Sequence, residues 1–383
     1  MSQQVSDCRK AGILTIIQST HASLGGLKKV GLLERHRRLL REYSKNFDVV
    51  VYSSDTTDYS QELGVEHHPM PWLPKAFGLR HAIYYLWLIL QACKMKGVIK
   101  VFGSNIPTLP IVKLLSSSKM MVTYQWGYAE QSRLCKKRDL RYWLGRPLEW
   151  LALRPADIVS VTTKRLEAYV EETYRKKTIL LPNWVDFEQI KKIPLSRNKE
   201  LVLYAGRLHK IKGVDYLIKA FSIVKEAHPK AKLIICGTGK EIGKLQRMVQ
   251  ELGVRDVEFT GSVPNKQVLA LMKSAAIFVL PTVTMEGHPK ALIEAMACGA
   301  SCVVSDVPGN EDIIVNGHTG ILVPASNINA LSNALEILLA NQSLRDRLGQ
   351  AAQLEAYKYS FSRIVSREIR VLTALCNTRQ SNG

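Results

Sequence analysis

No stretch of this 383-residue chain is apolar for long enough to cross a membrane. The longest largely apolar run, AIYYLWLILQAC at 82–93, falls well short of the ~18–20 residues that a spanning helix needs. A signal-peptide pattern is also missing. The opening MSQQVSDCRKAGILTIIQS carries an acid and a cysteine before its brief apolar stretch, and it reads as a tail leading into a strand. The seven cysteines, Cys8, Cys93, Cys135, Cys236, Cys298, Cys302 and Cys376, include no Cys-x-x-Cys pair, and no histidines cluster at metal-ligand spacing. That excludes a zinc ribbon or a dithiol redox centre, and leaves the expectation of reduced thiols in a cytoplasmic protein.

Acid is in short supply. Asp and Glu number 33 against 53 Lys and Arg, for a formal charge of +20. The shortage is concentrated early: residues 1–198 hold 31 cations against 17 acids, a net of +14, and the remainder carries +6. Such a field attracts nucleic acid, a phospholipid surface or a phosphorylated ligand, although charge of this kind also simply keeps a protein soluble. For nucleic acid there is charge alone, with no aromatic-rich binding motif and no zinc finger. At 46% hydrophobic and 22% charged the composition is that of a globular protein, and the length suits two domains.

Short β-branched runs alternate with amphipathic stretches. GILTIIQS (12–19), FDVVVYSSD (47–55), VIKVFGS (98–104), KMMVTYQWG (119–127) and ADIVSVTT (156–163) read as strands, and VGLLERHRRLLREYS (30–44) and KRLEAYVEETY as helices. KTILLPNWVDFEQIKKIPLSRNKE (177–200) breaks the pattern as a polar connection and places a domain boundary near 185–200. LVLYAG, AKLIICGTG, VEFTGSV, IFVLPT and SCVVSDVPG then alternate with helices, followed by helical segments near 327–341, 343–356 and 361–376. Strand and helix in this order imply two doubly wound α/β domains, expected to face each other across a cleft, with ligands beyond the carboxyl ends of the strands.

Unusual residues cluster at those ends. Gly206 and Arg207 follow the strand LVLYA, with Lys212 shortly after. Arginine offers a forked pair of donors to phosphate oxygens and lysine a mobile point charge; surface cations beside a turn would look the same. CGTG puts Gly237 and Gly239 after the next strand, where glycine serves close packing or phosphate approach. It is not a full G-x-G-x-x-G signature, and no acid follows at the spacing that ribose recognition needs. MEGHPKALIEAMACGA (285–300) places Glu286 and Glu294 around the start of a helix opened by Pro289 and ended by Gly299. The free N–H groups of residues 288–291 form an anion-favouring helix end. An acid there for the macrodipole alone gains only ~0.3–1 kcal/mol. Glu286 can also accept from sugar hydroxyls, and Glu294 can clasp two vicinal ribose hydroxyls.

Together, PNWVD (182–186), AGRLHKIKG (205–213), ICGTG, EFTGSV, VLPTVTMEGHPKALIEAMACGASCVVSD, VPGNEDII and NGHTGILVPA resemble the retaining glycosyltransferases of family 4, within the glycosyl transferases group 1. The resemblance is most specific over 180–325. It implies a GT-B fold of two Rossmann-like domains: 1–190 binding the acceptor, 191–360 binding a nucleotide sugar, and a last segment, 361–383, whose helix packs back on the first. It further implies that Arg207 and Lys212 hold the donor diphosphate and that Glu286 contacts the transferring sugar. Glu294 would bind ribose, and the amides of Gly287, His288, Pro289, Lys290 and Ala291 match the loop and helix start around sugar and phosphate (proline contributing no N–H). Gly25 and Gly26, in SLGGL, match a glycine loop that closes on the diphosphate. Where relatives often carry a histidine after the strand VTYxxG, this chain has Gln125, which cannot titrate. His288 replaces a commoner aromatic or aliphatic residue.

The expected function is transfer of a sugar from a nucleotide diphosphate sugar to an acceptor hydroxyl, with retention and without a metal: no DxD motif is present and the two cations can do a metal's electrostatic work. No other cofactor is expected. The expected acceptor is a lipid-linked glycan in surface polysaccharide assembly, docking on the basic first domain. LERHRRLLR (33–41) and WLPKAFGLRHAIYYLWLILQACKMK (72–96) are the candidate contacts, the latter either a core helix or an interfacial element of a peripheral enzyme on the inner membrane face. A nucleotide-sugar epimerase on the same fold is the alternative, and a nucleic-acid binder the weaker one.

Overall fold

The computed structural model describes residues 10–19, 23–29, 31–72, 77–103, 106–125 and 140–380. Val30, Trp126, Gly127, Cys8 and Cys135, named above, lie outside them. The chain forms two compact units, one comprising residues up to Leu181 and from Val365 on, the other Pro182–Ile364. The divisions fall at 181/182 and 364/365, where the sequence placed them at 190/191 and 360/361.

The first unit is built on seven parallel strands: β1 (Ile13–Gln18), β2 (Asp48–Tyr52), β3 (Glu66–His68), β4 (Val98–Phe102), β5 (Lys119–Tyr124), β6 (Ile158–Val161) and β7 (Thr178–Leu180), in the order β3-β2-β1-β4-β5-β6-β7. Between them run α1 (Leu24–Lys29), α2 (Leu33–Ser44), α3 (Ser60–Leu63), α4 (Phe77–Gln91), α5 (Leu109–Ser116), α6 (Leu140–Leu153) and α7 (Lys164–Tyr174). The order reverses between β1 and β4, so their carboxyl ends form the switch point where such sheets take ligands. Strands β1, β4 and β5 are buried on both faces, which is why they read as near-continuous apolar runs.

α4 resolves the two readings of 72–96 in an unexpected way. Tyr84, Leu88 and the following Ala92 are buried in the core at helical spacing, while Leu79, Leu86 and Leu90 on the opposite side are more than half exposed. The helix is a core helix on one face and apolar on the other.

The last helix, α15 (Phe361–Gln380), joins this unit from Val365 onward. Buried Lys100 on β4 is ion-paired with Glu368 and donates to the Tyr43 hydroxyl, and Tyr43 donates to Glu368 at 2.5 Å. Burial pushes the Lys100 ammonium down and the Tyr43 phenol well up; the Glu368 charge opposes the first shift and adds to the second.

The second unit carries six parallel strands, β8 (Asn198–Ala205), β9 (Lys232–Cys236), β10 (Val257–Gly261), β11 (Ala275–Leu280), β12 (Ser301–Asp306) and β13 (Ile321–Pro324), in the order β10-β9-β8-β11-β12-β13. Its helices are α8 (Phe187–Lys191), α9 (Val214–Ala227), α10 (Ile242–Glu251), α11 (Asn265–Ser274), α12 (Lys290–Ala297), α13 (Ile328–Ala340) and α14 (Gln342–Ala356). α9 shows how they are specified: Val214, Leu217, Ile218, Phe221 and Val224 form one buried stripe, each large side chain contributing about 1.5–3 kcal/mol. Asn327 and Asn341 cap α13 and α14 by accepting from Ala330 N and Leu344 N, both at 2.9 Å. Here the order reverses between β8 and β11; β11 is buried throughout and β8 from Leu201 to Ala205.

Candidate functional site

The carboxyl ends of β8 and β11 deliver the residues singled out in the sequence. After β8 the chain passes through Gly206 and Arg207 into a short 3-10 turn ending at Lys212. After β11 it passes through Thr282 and Glu286 into α12. The two loops are tied together by Val283 N donating to Ile211 O at 2.9 Å. Lys212 Nζ forms an ion pair with Glu286 Oε1, and Thr282 Oγ1 donates to the same oxygen at 2.7 Å. Glu286 is only 7% exposed, and its own N–H is held by Pro308 O at 2.8 Å. A carboxylate so buried requires such partners.

Arg207 is exposed, and its carbonyl accepts from the Tyr204 hydroxyl at 3.0 Å. Burial, with the Glu286 charge second, raises the Tyr204 phenol far above its ordinary range, so it stays a neutral donor. Gly237 and Gly239 serve close packing: a Cβ on Gly237 would lie 1.9 Å from Gly206 O, and one on Gly239 would lie 2.0 Å from Leu208 O. Glycine at both positions lets the ends of β8 and β9 touch backbone to backbone, with Gly206 N bonded to Cys236 O and Leu208 N to Thr238 O.

α12 begins where Pro289 and the dipole place it. Gly287 is half-buried, Pro289 is its N-cap residue, Lys290 is exposed and Ala291 half-buried. Glu294, in the second turn, is 7% exposed, and Asn265 Nδ2 reaches its Oε1 at 3.5 Å. His288 turns into the protein. Its ring meets Tyr359 edge-on at 4.8 Å, its carbonyl accepts from Asn183 Nδ2 at 2.6 Å, and neither ring nitrogen has a hydrogen-bond partner. Burial, followed by the nearby Lys358 and Lys290 charges, lowers its pKa to about 4. The imidazole is therefore neutral near pH 7.

Thr282, Asn265 and Asn183 were not singled out by the sequence. Thr282 sits four residues before Glu286 in VLPTVTMEG, and Asn183 in PNWVD, but their partners become visible only once the loops are folded.

In the first unit, Gly25 and Gly26 lie within the short helix α1 beyond β1 rather than in an open loop. The buried Asp55 carboxylate accepts from Leu24 N at 2.7 Å and Gly25 N at 2.9 Å. Ser53 Oγ donates to Asp55 at 2.9 Å and lies 2.9 Å from His67 Nε2. Gln125 stands exposed at the end of β5. Among the described residues no group of three or more His, Cys, Asp or Glu side chains is gathered as for a metal ion.

Known glycosyltransferases resemble this chain in sequence and in fold. Residues 185–355 match the family model described as Glycosyl transferases group 1. An uncharacterized glycosyltransferase of Methanocaldococcus jannaschii is 25% identical over 88% of this chain and 96% of its own length. A phosphatidyl-myo-inositol mannosyltransferase of Mycobacterium leprae is 30% identical over 52% of this chain, which spans about half, 54%, of that protein. In three dimensions the chain is similar to HepE of Anabaena, solved with UDP and glucose, at a TM-score of 0.74 and 14% identity over 94% of this chain and all of that one. The GT-B fold, two parallel Rossmann-like sheets with their helices, is shared with it. These likenesses support a GT-B glycosyltransferase.

Proposed function

We propose that this protein is a retaining glycosyltransferase of family 4 that moves a sugar from a nucleotide diphosphate sugar to an acceptor hydroxyl. The observation that carries the reading is the joined pair of loops at the β8–β11 switch point. There a lysine is bonded to a buried acid, with an arginine beside the first loop and the amino end of α12 after the second. In the reaction the bond from the anomeric carbon to the leaving phosphate oxygen breaks, and a bond to the acceptor oxygen forms on the same face. The acceptor proton passes to the departing diphosphate. Negative charge grows on that diphosphate, where Arg207, Lys212 and the N–H groups of α12 stabilise it. An ammonium has three protons, so the bond to Glu286 leaves two for phosphate oxygens. Glu286 then faces sugar hydroxyls and Glu294 the ribose. The UDP and glucose held by HepE support the donor class.

The acceptor we propose is a lipid-linked glycan used in surface polysaccharide assembly, on the inner face of the cell membrane. The basic first unit and the lipid in the name of the Mycobacterium leprae relative support it. Melting the protein against a panel of nucleotide sugars tests the donor half. A ligand at a hundred times its Kd adds about 2.7 kcal/mol, or roughly 3–4 °C for a protein of this size. The anomeric coupling of the product, read by NMR, tests retention. A panel with no stabilising member defeats the proposal.

A further inference from the structure

We propose that the outer face of α4, α5 and α6 is a docking surface for an anionic lipid bilayer. Seventeen large hydrophobic side chains are exposed among the described residues, and ten of them lie between Trp72 and Trp150. The other described residues of the first unit include none. The seven in the second unit are spread over separate elements, as scattered surface residues ordinarily are.

The three helices are neighbours. They connect β3 to β4, β4 to β5 and β5 to β6, and right-handed crossovers put all three on one side of the sheet. Each already has its inward stripe, with Leu88, Val112 and Ala152 fully buried in one core. A helix on the surface of a soluble protein turns a polar face outward. These turn out Leu86 and Leu90 from α4, Leu114 from α5, and Trp143, Leu148 and Trp150 from α6, at 45–77% exposure.

Charge selects the occupant. Between Glu66 and Glu130 the sequence has seven cations and no acid. Lys113 and Lys119 are committed to Asp157, but Lys94, Lys96 and Arg146 are exposed, and Arg154 lies over the Trp150 ring at 4.8 Å. Glu149, the acid of α6 itself, is buried. Leucine and tryptophan among cations of one sign suit the boundary of an anionic membrane. A second copy of the chain would bring the same positive charges face to face. No described helix is long and apolar enough to span, so the contact is a surface one.

The site itself is independent of sugar transfer; only the source of the lipid acceptor connects it to the function proposed above. The test is flotation of the full chain with vesicles of phosphatidylcholine and phosphatidylglycerol, against phosphatidylcholine alone. The expected result is binding to the anionic vesicles that weakens at 0.5 M salt, with at least a tenfold loss in the double variant Leu86→Glu/Leu114→Glu. Both positions are exposed, so melting should be unchanged, and Leu354→Glu on α14 should float like the wild type. Equal flotation of wild type and double variant overturns the proposal, as does failure of both to float. A concentration-dependent dimer abolished by the same double variant assigns the face to self-association and also overturns it. Stabilisation by a nucleotide sugar in the absence of flotation removes the surface and keeps the enzyme; flotation without stabilisation does the reverse.

Discussion

Lys212 and Glu286 are 74 residues apart in sequence and meet as an ion pair at the carboxyl edge of the second sheet. The pair joins the loop after β8 to the loop after β11, so cation and acid hold each other in place before any ligand arrives.

The pair separates a chemical role from a structural one. Arg207→Ala removes an exposed side chain and should lower turnover by about 10²–10³ with little change in melting. Lys212→Ala should lose a comparable rate and also stability, because a buried carboxylate left unpaired costs about 3–5 kcal/mol. Denaturant unfolding beside initial rates checks both. Equal stability in the two variants would show that the pair does not hold the loops.

Turnover should persist in EDTA. On the proposed mechanism, Arg207, Lys212 and the end of α12 would supply the positive charge that a divalent ion brings to a diphosphate. Assays with and without chelator, after exhaustive dialysis, decide this, and collapse of activity that magnesium restores would refute metal independence.

His288 gives a pH dependence of known sign. Its pKa is about 4 in the folded protein and near 6.5 in the unfolded chain. Above pH 6.5 both states are neutral and the residue is silent. As pH falls from 6.5 to 4 the unfolded chain takes the proton first, so the folded state loses roughly 3 kcal/mol. His288→Phe removes that loss and keeps a ring against Tyr359. The gap in stability between variant and wild type should therefore shift in the variant's favour between pH 7 and pH 4. A gap that stays constant rules out the lowered pKa.

Gly239 and Gly243 should respond oppositely to alanine. A methyl on Gly239 meets the Leu208 carbonyl, and the forced shift should cost about 1–3 kcal/mol. A methyl on Gly243, in α10, meets nothing within 4 Å and should gain up to about 0.5–1 kcal/mol. Thermal melts of the two variants check the contrast.

The sequence made the second unit easier to read than the first. β8 from Leu201 on, β11 and β12 are buried on both faces and stand out as apolar runs, and α12 is bracketed by Pro289 and Gly299. β3 and β7 have three residues each, too few for any periodicity, and β7 falls in a stretch that reads as a polar connection. The carboxylates of the site were legible as residue types, but their holders were not. Thr282, Asn265 and Asn183 are ordinary polar residues until folding brings them to Glu286, Glu294 and the His288 carbonyl. Nor does periodicity reveal that α4 is apolar on both sides, because a buried helix and one awaiting a partner have the same composition.

Val185 and Ser360 are paired as neighbours, with Val185 N bonded to Tyr359 O and Phe361 N to Val185 O, both at 2.9 Å. The entrance and the exit of the 182–364 module are therefore stitched side by side. A segment whose two ends adjoin can be lifted out of one gene and set into another without tearing either sheet. The family match begins at residue 185 and stops at 355, almost the span of that cassette. On the function proposed above, donor chemistry packaged in this way could be inherited as a unit, leaving the other unit free to diverge with the acceptor.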